Sequence, residues 1–187
     1  MVLALNMSLA DKVKIELADL ADIDGITRVL DSVPLRRDFV YGPDCFKENV
    51  KYSFIQSIRH EHEGVYVAKE GDEVVGFAWF MNHPPNNGTA ILEMLAVRTD
   101  RQNQGIGLCL IKESSDKFVE SQRELGSNLR TLHLTTNYSN DSARTIYQRA
   151  GFQPIALIPG FVGDGNIELF MLKKLNSEKA PDAYVTK

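Results

Sequence analysis

The hydrophobic positions of this chain follow two different periods, and the switches between them outline its elements. VKIEL, Val13 to Leu17, alternates strictly and predicts a first strand. From Asp19 to Leu30 the apolar residues Leu20, Ile23, Ile26 and Leu30 recur at helical spacing, with Asp19 or Asp22 placed to cap the helix. Ser32 to Asp44 contains two prolines and a glycine and predicts a loop or a broken helix. Val50, Phe54 and Ile58 then fall at i, i+4 and i+8, which predicts a second helix over Phe46 to Ile58.

From Gly64 onward the pattern turns strand-like. VYVAK (Val65 to Lys69) and VVGFAWFM (Val74 to Met81) flank a short turn that contains Gly71, a hairpin signal. HPPNNG, His83 to Gly88, predicts a loop because proline and glycine suit neither a ladder nor regular dihedrals. AILEMLAV, Ala90 to Val97, predicts another strand. Gly105 to Glu120 carries Ile106, Leu110, Ile111, Phe118 and Val119 in an amphipathic helical pattern. Thr131 to Thr136 predicts a strand, Ser142 to Arg149 a short helix, and Phe152 to Ile158 and Ile167 to Leu175 two closing strands.

This order predicts an α/β fold, a mixed sheet of about six or seven strands flanked by helices. The helix from Gly105 links Ala90–Val97 to Thr131–Thr136, so those strands are expected to be parallel neighbours through a crossover. The chain reads as one domain over residues 1–175, followed by a polar tail over 176–187.

Composition narrows the function classes. With 187 residues, 43% apolar and 25% charged, the chain resembles a globular protein able to bury a core. A net charge of -4 argues against a nucleic-acid partner. No apolar run is long enough to span a bilayer, and MVLALNMSLADK lacks the basic start of a secretion signal. No membrane role and a cytoplasmic location are the expectation. Cys45 and Cys109 form no metal-ligand spacing. His60 and His62 with Glu61 and Glu63 read as a solvated linker, so no metal is expected.

Two stretches carry chemistry. In Leu95 to Ile111 a strand runs into a polar turn and then into Gly105 and Gly107 at the mouth of a helix. Glycines there admit a ligand close to the backbone, and the first helical turn offers unpaired amides to an anion. No Lys-Ser/Thr pair follows, which sets aside the triphosphate loop, and Leu110 stands where a dinucleotide fingerprint needs its third glycine. One crossover later, Asn140 precedes a short helix and Gly151 ends it before Phe152. Ala143 and Tyr147 share one face of that helix. Taken alone, Tyr147 also suits a core aromatic with a satisfied hydroxyl.

Together these stretches resemble the GCN5-related N-acetyltransferase (GNAT) family. Its coenzyme A motif, a strand valine followed by Gln/Arg-x-x-Gly-x-Gly/Ala, is similar to Val97 and then Gln102, Asn103, Gln104, Gly105, Ile106 and Gly107. Its second motif is similar to Asn140, Ala143, Tyr147 and the Gly151–Phe152 pair. The resemblance is specific over Ala90 to Phe152 and looser on either side. It departs at Thr99, where many relatives carry proline, and at Gln104, often a glycine or a small or basic residue.

The resemblance implies a sheet splayed open between Ala90–Val97 and Thr131–Thr136, with acetyl-CoA as donor cosubstrate. The pantetheine arm would pair with the backbone of Leu95, Ala96 and Val97. The pyrophosphate would rest on the amides of Gln102 to Gly107, and Asn140 would hold the pantetheine side. Tyr147 would lie near the thioester sulfur as general acid, and a backbone amide near Leu95 or Ala96 would stabilise the carbonyl oxygen. Glu93, a carboxylate within an apolar strand, is the candidate base; strict alternation would put it on one face with Leu95 and Val97, and it equally suits a partly solvated face. His133 on the neighbouring strand reads as a structural histidine, the alternative being a base that supplements or replaces Glu93.

The acceptor, a small-molecule or peptide amine, would sit among Pro34 to Phe46, the HPPNNG turn and Pro159 to Asn166. Phe77, Trp79 and Phe80 read mainly as core, with an edge toward that pocket. A homodimer would suit an exposed final strand. A non-catalytic acyl-CoA-binding module on the same scaffold is the rival reading.

Overall fold

The computed structural model describes residues 13–33, 43–82 and 88–175, with the backbone alone at 43–48 and 50. Residues 83–87 of the expected HPPNNG loop, most of the Ser32–Asp44 interval, the N-terminal stretch and the polar tail lie outside the described residues. Seven strands form one sheet: β1 (Lys14–Leu17), β2 (Glu63–Glu70), β3 (Glu73–Met81), β4 (Thr89–Val97), β5 (Thr131–Asn137), β6 (Gln153–Pro159) and β7 (Ile167–Lys174). The helices are α1 (Ile23–Ser32), α2 (Pro43–Ile58), α3 (Ile106–Glu124) and α4 (Asp141–Arg149).

Strand order is β1-β2-β3-β4-β5-β7-β6. All pairs are antiparallel except β4 with β5, the expected crossover through α3. The mixed α/β architecture is therefore as expected. One expectation fails: the final strand is not exposed at an edge. The β6–β7 hairpin folds back so that β7 pairs on both sides, and β6 is the edge strand instead.

Two apolar clusters hold the layers together. On one face Ile106, Leu110, Ile111, Phe118 and Val119 of α3 pack with Phe80, Leu92, Leu132 and Leu134, and α4 joins them through Tyr147 and Ala150. On the other, Ile23, Ile26, Val29 and Leu30 of α1 pack with Phe54, Val67, Phe77 and Trp79. Phe54 of α2 meets Phe77 and Trp79, each at 5.1 Å between ring centroids, so two of the strand aromatics belong to this core. Leu20 stays exposed, because Leu20–Asp22 is a tight turn before α1. Helix α2 begins three residues before the predicted Phe46, at Pro43, a residue suited to a first helical turn. No described helix is long and apolar enough to cross a membrane.

The tight turn Leu20–Asp22 that leads into α1 opens with a capping box. The Asp19 side chain accepts from the Ala21 N–H at 2.7 Å, and Asp22 accepts from the Asp19 N–H at 3.1 Å. Buried Asp22 also pairs with Lys69 of β2 at 2.7 Å, and these contacts push the lysine further up. Asp22→Ala opens the capping box and leaves the Lys69 ammonium with Glu16, 2.9 Å away, as its remaining partner, so it should lower stability by about 1 kcal/mol in urea denaturation. A loss below about 0.5 kcal/mol would contradict that role.

Candidate active site

The site begins where β4 and β5 part. They pair only at Thr89–Thr131, Ala90–Leu132 and Ile91–His133, while β5 continues along β7 to Asn137. On its other edge β4 stays paired with β3, and Arg98 N–H donates to Val75 C=O at 2.9 Å. Antiparallel ladders alternate in direction, so Arg98, Ala96 and Met94 turn their N–H and C=O groups to β3. Leu95 and Val97 turn theirs into the gap. Strand parity therefore turns the Leu95 N–H toward the gap and the Ala96 N–H toward β3.

The alternation argument for Glu93 also fails. Trp79 faces Met94 and Phe80 faces Leu92, so Glu93 is the extra residue of a β-bulge. The slip puts Leu95 and Val97 in one cluster with Ala90 and Leu92. Glu93 is exposed and is not among the residues that line the cleft.

That cleft encloses about 390 Å³ and is lined by Leu95, Ala96 and Val97, by Gln102, Asn103 and Gly107, and by Asn140, Ala143 and Tyr147. Its remaining walls are Val33, Ser142 and Ile146. Ile146 was legible only as an apolar residue beside Tyr147, off the Ala143–Tyr147 face. Val33 carried no signal, since only folding brings the end of α1 here.

The loop into α3 is shaped for an anion. Asn103 (φ 59°) and Gly105 (φ 84°) are both left-handed, the alternation that aims successive amides to one side. Gly105 caps α3 without a side chain, and no acidic residue occupies the first turn. Among the described residues the N–H groups of Asn103 to Leu108 donate to nothing, the first helical bond being Cys109 N–H to Gly105 C=O at 3.1 Å. Gln102 Nε2 donates to Val97 C=O at 3.0 Å and braces the loop against β4. Gln104 turns its side chain back to Asp100 C=O at 3.2 Å, and Ile106 is buried in the core, so these two offer only backbone.

Ion pairs stiffen the preceding turn. Arg98 bonds Glu73 and Asp100, and Arg101 bonds Glu70 at 3.0 Å and Asp100 at 2.9 Å. The Arg98 guanidinium holds the Asp100 carboxyl below its ordinary range. Thr99, at the departure from the family pattern, ties this turn to Ser32 at the end of α1.

Before α4, Asn140 Oδ1 accepts from the Ala143 N–H at 3.2 Å and caps the helix. Its amide nitrogen has no partner among the described residues. Tyr147 is buried edge-on against Phe152, 6.2 Å between centroids, and burial pushes its phenol up to about 12. Its hydroxyl finds no partner among the described residues, unlike a satisfied core tyrosine. His133 sits where the strands still pair, its Nδ1 2.9 Å from Thr89 Oγ1 and its ring against Phe170. Burial lowers its pKa, partly offset by a bond to Ala90. No cluster of three metal-ligating side chains occurs among the described residues.

Comparison with known proteins decides the family. The acetyltransferase (GNAT) domain family matches residues 61–154, half of the chain. The chain belongs to the GNAT acetyltransferase family. It is similar to an L-2,4-diaminobutyric acid acetyltransferase of Shouchella clausii, 29% identical over 54% of this chain and 53% of that one. It is also similar to an uncharacterized N-acetyltransferase of Methanocaldococcus jannaschii, 30% identical over 62% of this chain and 69% of that one. The chain thus spans about half the length of the first of these relatives. In fold it is similar to the PaiA N-acetyltransferase of Thermoplasma acidophilum, solved in complex with coenzyme A. That likeness has a TM-score of 0.65 and 17% identity, over 87% of this GNAT chain and 99% of the other.

Two tests follow from this GNAT site. A Cβ on Gly107 would meet only ordinary contacts, Ile146 at 3.5 Å and Val97 at 3.6 Å, so the fold itself does not demand glycine there. Gly107→Ala should leave thermal stability unchanged or raise it by about 0.5 kcal/mol, yet weaken anion binding at the cleft. Gly105→Ala should instead cost about 1–2 kcal/mol, because φ there is 84°. Equal behaviour of the two variants in thermal melts would contradict the assignment.

The second test concerns pH. The lowered pKa of His133 means the folded state binds its proton less readily than the unfolded chain. Its contribution is therefore complete above the ordinary value of 6.5 and is lost as pH falls through the folded value. Melting curves of wild type between pH 7 and pH 5 should fall more steeply than those of His133→Gln, and parallel curves would contradict this.

Proposed function

We propose that the chain is an acetyl-CoA-dependent N-acetyltransferase that acetylates a primary amine by direct attack in a ternary complex, with a small molecule as acceptor. One observation carries the reading: the open seam beyond Ile91, where the Leu95 backbone and the Val97 N–H turn toward a cleft that ends on unpaired amides, the Val97 C=O being held by Gln102. An extended pantetheine arm carries amides of its own and would pair there as a strand adds to an edge. The pyrophosphate fits the loop at Gln102 to Gly107, where Gly107 leaves the space that a Cβ would fill. The free amide nitrogen of Asn140 is the group left to hold the pantetheine side.

Each residue then has a task. The attacking amine must be neutral, and as its nitrogen bonds to the acyl carbon the C–S bond breaks. Charge gathers on the carbonyl oxygen during this step, and the Leu95 N–H is the donor turned toward the gap. Tyr147, kept protonated by burial, gives its proton to the departing thiolate. Glu93, exposed at the bulge, accepts the amine's proton through a water. His133 suits the base role less, since Thr89 already engages it. A relative named for acetylating diaminobutyric acid favours an amino-acid-sized acceptor over a protein.

Thiol release from acetyl-CoA across amines, amino acids and peptides tests the whole reading. Tyr147→Phe and Glu93→Gln should each lose about 10²-fold in turnover while retaining donor affinity. A non-catalytic module would bind acetyl-CoA tightly, turn nothing over and ignore both changes. Because burial raises Tyr147 to about 12, raising the pH to 10 should deprotonate acceptors without inactivating the acid. A rate that falls below pH 10 along a phenol titration would contradict Tyr147 in that role.

A further inference from the structure

Ser32 is the last residue of α1, and Thr99 opens the tight turn between β4 and the anion loop. The Thr99 N–H donates to Ser32 Oγ at 3.2 Å, and the Thr99 hydroxyl donates to the Ser32 carbonyl. Ser32 Oγ donates in turn to Val29 C=O at 2.7 Å, which commits its hydrogen to the helix and leaves a lone pair for Thr99. The Ser32 carbonyl is one of the last four in its helix, which no intrahelical donor can reach. Two bonds thus join segments 67 residues apart.

The next residue shows what the clasp does. Val33 leaves the helix in extended backbone (φ −93°, ψ 143°) and lines the cleft. It comes from α1, which packs on the sheet face opposite the one that carries α4. Besides the clasp, the Val33 N–H donates to Leu30 C=O at 3.3 Å where the chain exits α1. Exposed hydrogen bonds of this kind add little to stability, since water replaces them well. Their effect belongs in the geometry of the cleft.

We propose that Ser32 and Thr99 are positioning residues for the donor, holding Val33 in place as one wall of the coenzyme A cleft. The inference rests on the donor reading above, and it assigns to two side chains outside both coenzyme motifs a share of donor affinity.

The test is calorimetric titration of the full chain with acetyl-CoA, alongside thermal melts. Arg98 has φ −50° and ψ 136°, the extended conformation a following proline requires, so Thr99→Pro should fold normally while losing both bonds. It should raise Kd about 10-fold and Thr99→Val about 3-fold, with Tm moved by less than about 2 °C. Thr99→Ser, which keeps both donors, should restore wild-type affinity. Val33→Ala should also weaken binding, and adding Thr99→Val to it should have little further effect, because the clasp acts through Val33. Unchanged Kd in Thr99→Pro, or additive effects in the double variant, would overturn the clasp and leave the donor reading standing. A wild-type chain that binds no acetyl-CoA would overturn both.

Discussion

Every strand carries hydrogen-bonding groups along two edges, and in the middle of this sheet one edge goes unmatched. Beyond Ile91, β4 remains paired with β3 while β5 remains paired with β7, so neither can close the gap between them. The bulge at Glu93 adds local twist to β4 just past the last shared pair. Backbone groups left in this state inside a protein need water or a ligand. The Leu95 backbone and the Val97 N–H are left facing the gap in this way, and the rest of the cleft is arranged around them.

The cleft is sided by elements with separate structural reasons for being there. Helix α3 must cross from β4 to β5 to bury Leu110, Ile111 and Phe118, and its N-terminus consequently opens beside the gap. A glycine cap leaves that terminus unsatisfied, so the positive end of the helix faces the cleft with no competing carboxylate. Helix α4 buries Ala150 and Tyr147 against the same core, which puts the tyrosine on the opposite wall in a low-polarity setting. The same burial that anchors α4 keeps the phenol a proton donor. Around the entry turn, Arg98 and Arg101 share Asp100, which holds an exposed loop in one arrangement more than it adds stability.

Much of this was legible in the amino-acid order. Local periodicity located every described strand and helix to within a few residues, because the hydrophobic face of each element is written at its own spacing. Gly105 and Gly107 marked the anion loop through backbone freedom, and Asn140 and Gly151 marked the limits of α4 through capping chemistry. The parallel contact of β4 with β5 followed from the crossover helix that joins them. Each of these signals depends on residues a few positions apart.

What the order of residues could not determine depends on contacts across the sheet. The insertion of β7 between β5 and β6 reversed the expectation of an exposed final strand, since strand order is set by packing of the whole sheet. The bulge at Glu93 appears only against β3, and it overturned an alternation that ILEMLAV suggested by itself. Strand parity chose Leu95 over Ala96 as the donor facing the gap, a choice that needs the register with Gly76 and Phe77. Val33 and the Ser32–Thr99 bonds join the site from far along the chain. The sequence by itself thus determined the elements and the anion loop, through local backbone chemistry; only the tertiary structure decided which backbone groups stay unpaired, because pairing is a property of neighbours in space.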